Sequence, residues 1–542
     1  MSQGQKSFVK GAAILGFFGL IVKLIGAFFR VPLTNIIGPD GMAYYQAAYP
    51  VYATLVVIST AGLPAAISKL VSERVTLGDY RGAHKVFQKA FKMLLIFGVG
   101  TTIIMFALSG LLADAFGMPG AEASLRMIAP SLFFVSVLSA YRGYFQGLQH
   151  MFPTAVTQLI EQVVKLGAGL YLASAMFKTG GVEAGAAGAL LGVSISELLA
   201  LIVIVFIYNR KKNQIKSKRR QTASLSVQAH GSLSSEILRI ALPVTLGACM
   251  MPIVGFLDTL IVTNTMAGVD YSAFNPLDAK TSFGLLTGAV NTLVNMPAVL
   301  SVALCMSLVP AIAEARAKKD TYSVSERSAV GFKLAALIGL PCAMGMYLLA
   351  GPIISLLYTN LTADELAVGT YLLQTMSIGV LFLTMLQTMT GILQGAGRAI
   401  VPVINLGVGA IVKIIISILL IRVPSINING AAIGTAACYG IAAILNLISV
   451  VRITKPSIQP VSGVMMPIIS TAIMGTVVYF MYKTLNLELG NTKTTIICIA
   501  AAVLVYVVML FITRSLKKDD MKYIPGGGKI TRVMNKFGFW ED

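Results

Sequence analysis

Charge is what this sequence has least of. Asp, Glu, Lys and Arg supply 12% of its 542 residues, about half the share of roughly 25% that a water-soluble domain carries. A soluble globular chain is excluded on that count. The five cysteines, Cys249, Cys305, Cys342, Cys438 and Cys498, stand singly inside apolar runs and never as C-x-x-C, which excludes a disulfide framework and a thiolate zinc site. Three histidines, His84, His150 and His230, fall between the apolar runs. There is no G-x-S-x-G or H-E-x-x-H, and the GGGK of 526–529 lacks the earlier glycine and the following Ser/Thr of a phosphate loop. Enzymatic chemistry and a nucleotide site have no support. Long polar stretches are missing too, so no large soluble domain interrupts the chain.

What is present is apolar sequence. Hydrophobic residues make up 56% and the mean hydropathy is +0.81. Runs of the roughly 20 residues needed to cross about 30 Å of hydrocarbon recur from Gly11 to Arg514. Fourteen spans are predicted, at 11–36, 43–67, 91–116, 124–148, 153–177, 183–208, 237–266, 281–309, 330–358, 366–394, 400–421, 429–451, 461–482 and 494–513. The first, containing Lys23 and Arg30, runs too long for a cleaved signal and is read as a retained span. An even number puts both termini on one side. With the N-terminus inside, inner segments hold 31 Lys+Arg, outer segments 6 and the spans 5, of 42 in all. That bias makes the +20 net charge a topology signal rather than a nucleic-acid surface. Both termini are expected in the cytoplasm, with anionic-lipid contact at RKKNQIKSKRR (210–220).

The chain also repeats itself. Gln146-Gly147 precedes Lys165 by nineteen residues, and Gln394-Gly395 precedes Lys413 by the same nineteen, an offset of 248 for both. GAAGALLG (185–192) is echoed by GAAIGTAA (430–437), and LPAAISKLVSE (63–73) by LVPAIAEARAKKD (308–320). The reading is an all-α polytopic membrane protein of two parallel six-helix repeats plus two extra helices. Its expected divisions are 1–208, a basic linker 209–235, a second bundle 236–455, the extra pair 456–514 and a basic tail 515–542. Such paired bundles predict transport by alternating access at a midplane site.

Ionised groups inside the hydrocarbon cost about 2.5 to 3.5 kcal/mol each on insertion scales, so each needs a partner or a wet cavity. The cations are Lys23, Arg30, Arg142, Lys165 and Lys413; the acids are Glu161, Glu197 and Asp258. Lys23 and Arg30 are seven residues apart, two helical turns, and share a face suited to phosphate oxygens. The Gly38-Pro39 beyond them marks a place to bend. Glu161 and Lys165, at i,i+4, either neutralise each other as a local ion pair or leave Lys165 for the site. Arg142 either snorkels or serves the site. Lys413 has no acid one turn away and calls for a partner on another helix or an anionic ligand. Asp258 either binds a cation or pairs with a lysine, and Glu197 receives no role.

The segments KGAAILGFFGLIVKLIGAFFRVPLTNIIGPDGMAYYQAAYPVY (10–52), YRGYFQG (141–147) and LQGAGRA (393–399) resemble the polysaccharide-transporter branch of the multidrug/oligosaccharidyl-lipid/polysaccharide exporters, and within it the SpoVB/MurJ-type group of lipid II flippases. The resemblance covers nearly the whole chain. It implies a cavity between two bundles for a lipid-linked sugar pyrophosphate, an extra helix pair forming a groove for the polyprenyl tail, and a bacterial-type cell membrane. Lys23 and Arg30 correspond to cationic positions of that group's first span. Ala53, Thr54 and NTLVNMP (291–297) depart from it where cations are expected. A sodium site would fall on Asp258, Asn405 and Thr435, with Gly409 where a further acid is expected. The function expected is outward movement of an undecaprenyl-pyrophosphate-linked wall precursor, with Lys23, Arg30, Arg142, Lys165 and Lys413 on the substrate, driven by Na+ or the membrane potential and working beside cell-wall enzymes. The alternatives are another prenyl-linked oligosaccharide, a cation-coupled drug, or a scaffold without transport.

Overall fold

The computed structural model describes residues 3–221, 232–269, 275–457, 461–513 and 515. The centre of the basic linker and nearly all of the basic tail therefore lie outside the described residues. Helices account for 90% of the structure, with no strand among the described residues. In order they are α1 Gln3–Thr60, α2 Gly62–Thr76, α3 Tyr80–Ala107, α4 Ser109–Ala115, α5 Ala121–Gly147, α6 Phe152–Gln221, α7 Leu233–Ala267 and α8 Ala279–Gly284. A π-helical turn, Leu285–Val290, leads to α9 Asn291–Asn295, α10 Ala298–Ala317, α11 Thr321–Leu348, α12 Ala350–Leu357, α13 Ala363–Gly395, α14 Ile400–Ile421, α15 Asn429–Thr454 and α16 Met466–Ile512.

Eleven of the described helices are long and apolar enough to span a membrane, and three of these fold back on themselves. The turns lie at Gly38 (φ 68°, ψ 179°), Gly181 (φ 70°, ψ −157°) and Gly490 (φ 72°, ψ 166°), one backbone region that is accessible essentially to glycine alone. Around Gly181, Gly188 abuts the Leu172 carbonyl and Gly192 the Gly169 backbone, pairings that only an antiparallel hairpin allows. Counting each hairpin as two helices gives the fourteen expected.

The repeat survives in the backbone. Asp79 caps α3 through its side chain and Asp320 caps α11, 241 residues later. The same offset separates Leu108, between α3 and α4, from Leu349, between α11 and α12. In α5, Gly143 and Gly147 meet α2 at the Pro64 carbonyl and Val71; in α13, Gly391 and Gly395 meet α10 at Cys305 and the Val309 carbonyl. These are the same four-residue spacing, 248 residues apart, and small residues there let helix backbones approach as transmembrane helices require.

Packing divides the chain into two units, residues 1–264 and 265–542. The division falls within α7 rather than in the expected linker at 209–235. The cause is that α7 begins on the first unit: Ile237 and Ala241 join the core of Leu63, Ile67, Leu70 and Leu94, and Glu236 pairs with Arg74 at 3.1 Å. Within the second unit, α16 docks on α11 and α12. Tyr506 donates to the Leu337 carbonyl at 2.9 Å, and Asn491 to Ser355 at 2.6 Å. The extra pair thus has a polar as well as an apolar seam.

The individual helices are built inside out relative to a soluble bundle. On α14, Ile404, Val408, Ile411, Ile415 and Leu419 form an exposed stripe at three- and four-residue spacing, while Gly409, Lys413 and Ser417 are buried. Lipid solvates the aliphatic face, and the polar side chains find partners inward.

Candidate functional site

In the first unit three elements bring charge and aromatic rings together. The α1 hairpin sets its two limbs side by side, so Phe29 on the first limb reaches Tyr45 on the second, with ring centroids 6.4 Å apart. Tyr45, Tyr49 and Tyr52 follow one another at helical spacing, the first two stacked at 5.8 Å and the next pair 5.9 Å apart. Arg30 lies over the Tyr49 ring at 5.9 Å. Lys165, from α6, lies 5.1 Å over Phe29 and 6.0 Å over Tyr49. Two cations from different helices therefore share one aromatic wall, an interaction of about 0.5–2 kcal/mol each. Among the described residues neither has a carboxylate within ion-pair distance.

Of the two alternatives for Glu161 and Lys165, the local ion pair is not formed. Glu161 instead takes Arg142 of α5 at 2.5 Å, and Arg142 also donates to the Thr157 hydroxyl through Nε at 3.1 Å and Nη2 at 3.0 Å. Both partners of the pair are largely buried, with side chains 15% and 11% exposed. A guanidinium offers several donors in a fixed fork and meets the carboxylate and the hydroxyl at once. Arg142 is thereby engaged by Glu161 and Thr157, and Lys165 by the rings. Glu197, buried on the second limb of α6, stands within electrostatic reach of Glu161, Arg142, Lys165 and Tyr52, and its Oε2 has no hydrogen-bond partner among the described residues. Sequence reasoning gave it no role, because its neighbours come from other helices. The tyrosine ladder was visible in AYYQAAYPVY (43–52) as rings on one helix face but was not singled out. Lys23 is exposed and Arg30 half-buried on the same limb, while Asp258 lies in α7.

The second unit places a neutral network where the first has an ion pair. Thr390, Asn405 and Gly409 stand 248 residues beyond Arg142, Thr157 and Glu161. Asn405 donates to Asn446 at 2.8 Å, and Asn446 to Thr390 at 3.2 Å. Gly409 sits against α15, where a Cβ would come within 2.7 Å of the Cys438 carbonyl; no acid fits there. Thr435 donates its hydroxyl to the Ala431 carbonyl at 2.9 Å and lies eleven residues along α15 from Asn446, about 16 Å of helix rise. Asn405 and Thr435 are thus not brought together. No group of three His, Cys, Asp or Glu suited to a metal occurs among the described residues. Lys413 is buried, 8% exposed, with Gly434 facing its aliphatic stem.

Two six-helix repeats with an additional pair define a polytopic membrane protein of the transporter and flippase class. The chain belongs to the polysaccharide biosynthesis protein family, whose model matches residues 8–316, within the multidrug/oligosaccharidyl-lipid/polysaccharide exporter superfamily; the MatE model matches residues 286–419. Among curated relatives from Bacillus subtilis (strain 168), it is 27% identical to the uncharacterized membrane protein YabM, over 97% of this chain and 96% of that one. It is 25% identical to stage V sporulation protein B, over 97% and 99%, and 24% identical to lipid II flippase MurJ, over 92% and 93%. A solved lipid II flippase MurJ in an inward closed conformation superposes with a TM-score of 0.68 at 17% identity, covering 92% of this chain and 98% of that one. An inward-facing multidrug MATE transporter gives 0.66 at 18% identity, over 80% and 96%.

Proposed function

We propose that the protein is a flippase that moves an undecaprenyl-pyrophosphate-linked wall precursor, of the lipid II kind, from the inner to the outer leaflet. The observation that carries this reading is the cation pair on the aromatic wall. Arg30 and Lys165 are held by the faces of Phe29 and Tyr49 rather than by carboxylates, so their charge remains for a phosphate-bearing headgroup. Rings also suit the apolar faces of sugars. Similarity to lipid II flippase MurJ and stage V sporulation protein B over nearly the whole chain supports the same substrate class. The cation bias supports cytoplasmic termini. With the inside negative, outward movement of anionic phosphate is favoured by up to about 2.3 kcal/mol per charge per 100 mV, which supports the potential as driving force over a dedicated ion.

The test is translocation of a fluorescent lipid-linked wall precursor in proteoliposomes with an imposed potential. Arg30→Ala and Lys165→Ala should each lower the rate at least tenfold, and the double variant should abolish it. Wild-type protein that moves no such precursor under either polarity would sink the reading. Movement of a different prenyl-linked oligosaccharide by the same protein would transfer the mechanism to that substrate.

A further inference from the structure

At one end of the second unit, where α10 meets α11 and α13 and α15 end, lies a cavity of about 820 Å³. Its lining contributes four cations, Arg316, Lys319, Arg398 and Lys455, and one acid, Asp320. That acid is occupied: it accepts from the Ser323 amide at 3.0 Å and hydroxyl at 2.6 Å, capping α11. Those bonds hold its carboxyl below the usual carboxylate range.

The backbone around this cavity is arranged at a cost. Four non-glycine residues among those described adopt positive φ, and two of them, Lys319 (φ 57°) and Lys455 (φ 45°), line it. A side chain is disfavoured in that conformation. The internal repeat supplies the comparison, because Gly78 (φ 78°), immediately before the capping Asp79, makes the turn that Lys319 makes before Asp320. Glycine serves this turn in the first unit, and the second unit puts a lysine there. Nearby the exchange runs the other way. Gly397 (φ 71°) stands 248 residues beyond Gln149 (φ 59°), and a Cβ at 397 would fall on the Arg316 guanidinium. A side chain is gained at 319 and lost at 397, and both changes bring cationic groups to the same cavity. The turn itself explains neither. The Lys455 backbone is fixed in turn, its carbonyl accepting from the Ser325 hydroxyl at 2.6 Å.

We propose that this cavity is an anion site that takes a phosphate group, either from an anionic lipid headgroup or from phosphate free in water. Four cations converging at the ends of apolar helices match the level at which lipid phosphates sit, and Arg316 and Arg398 offer planar forks for phosphate oxygens. The site is separate from Arg30 and Lys165 and does not depend on the transport reading.

The experiment uses full-length protein in nanodiscs and native mass spectrometry. Phosphatidylglycerol should be retained over phosphatidylcholine, and Arg316→Gln combined with Arg398→Gln should reduce retention at least tenfold. Lys319→Gly, which relaxes the turn in the manner of Gly78, should fold at least as well as wild type and still lose severalfold. Lys85→Gln with Lys89→Gln, from a basic cavity in the first unit, is the control and should change little. Addition of inorganic phosphate separates the sources: release of the lipid with a raised melting temperature assigns the site to free phosphate, and no response assigns it to the headgroup. Equal losses in the pocket and control variants, or full retention in Lys319→Gly, would overturn the proposal by reducing the pocket to general surface charge.

Discussion

At the scale of single residues, the Arg142–Glu161 pair occupies one of the five cations within the spans. Removing the acid's charge by Glu161→Gln takes the facing carboxylate from a largely buried guanidinium, which keeps Thr157 and the electrostatic reach of Glu197, and breaking a buried pair in this way costs up to about 3 kcal/mol. A lower melting temperature in detergent is therefore expected. Lys165→Ala should have the opposite profile, with the melting temperature little changed and translocation lost, whereas Lys165→Arg should retain part of the activity because a guanidinium also lies well on an aromatic face. A Lys165→Ala protein that melts early and transports normally would reverse the assignment. The sequence set out five candidates, Lys23, Arg30, Arg142, Lys165 and Lys413, because cations in apolar runs are few, and did not choose among them. It could not choose the partner of Glu161. A local i,i+4 lysine and a distant arginine compete, and only the approach of α5 to α6 brings the better donor fork into range.

At the scale of elements, the hairpin turns and the small-residue seams carry the fold. Nothing lies within 4 Å of a Cβ built at Gly181, so Gly181→Ala tests backbone strain without a clash and should destabilise by about 1–3 kcal/mol. Gly395→Leu should do more harm than that, because the side chain would be forced against the Val309 carbonyl and Ile312 and would wedge α13 from α10; thermal unfolding followed by intrinsic fluorescence compares the two. The spans were legible because their length is set by the bilayer, and the repeat because two short motifs recur at a fixed offset. The unit boundary was not. Composition places a break at the polar linker, but Glu236, Ile237 and Ala241 bind α7 to the first unit by contacts made after the linker. Nor was the basic cavity of the second unit legible, since Arg316, Arg398 and Lys455 are far apart in sequence and each alone reads as an ordinary inner-loop cation.

At the scale of the whole molecule, an even number of crossings is expected to return the chain to the side on which it starts. Single cysteines introduced at Gly78 and at Leu487, which is 89% exposed, should label from opposite faces of sealed vesicles, and labelling of both from one face would break the topology. The turns at Gly38, Gly181 and Gly490 follow the first, fifth and thirteenth crossings, so by parity all three are expected on one side of the membrane. Each reverses the chain in a single residue, and the connection at Tyr358–Thr362 is nearly as brief. At these turns the polypeptide offers helix ends with almost no slack between them, so a protease, an antibody or a phage reaching them finds little chain to grip. An epitope for purification or imaging belongs away from these three turns.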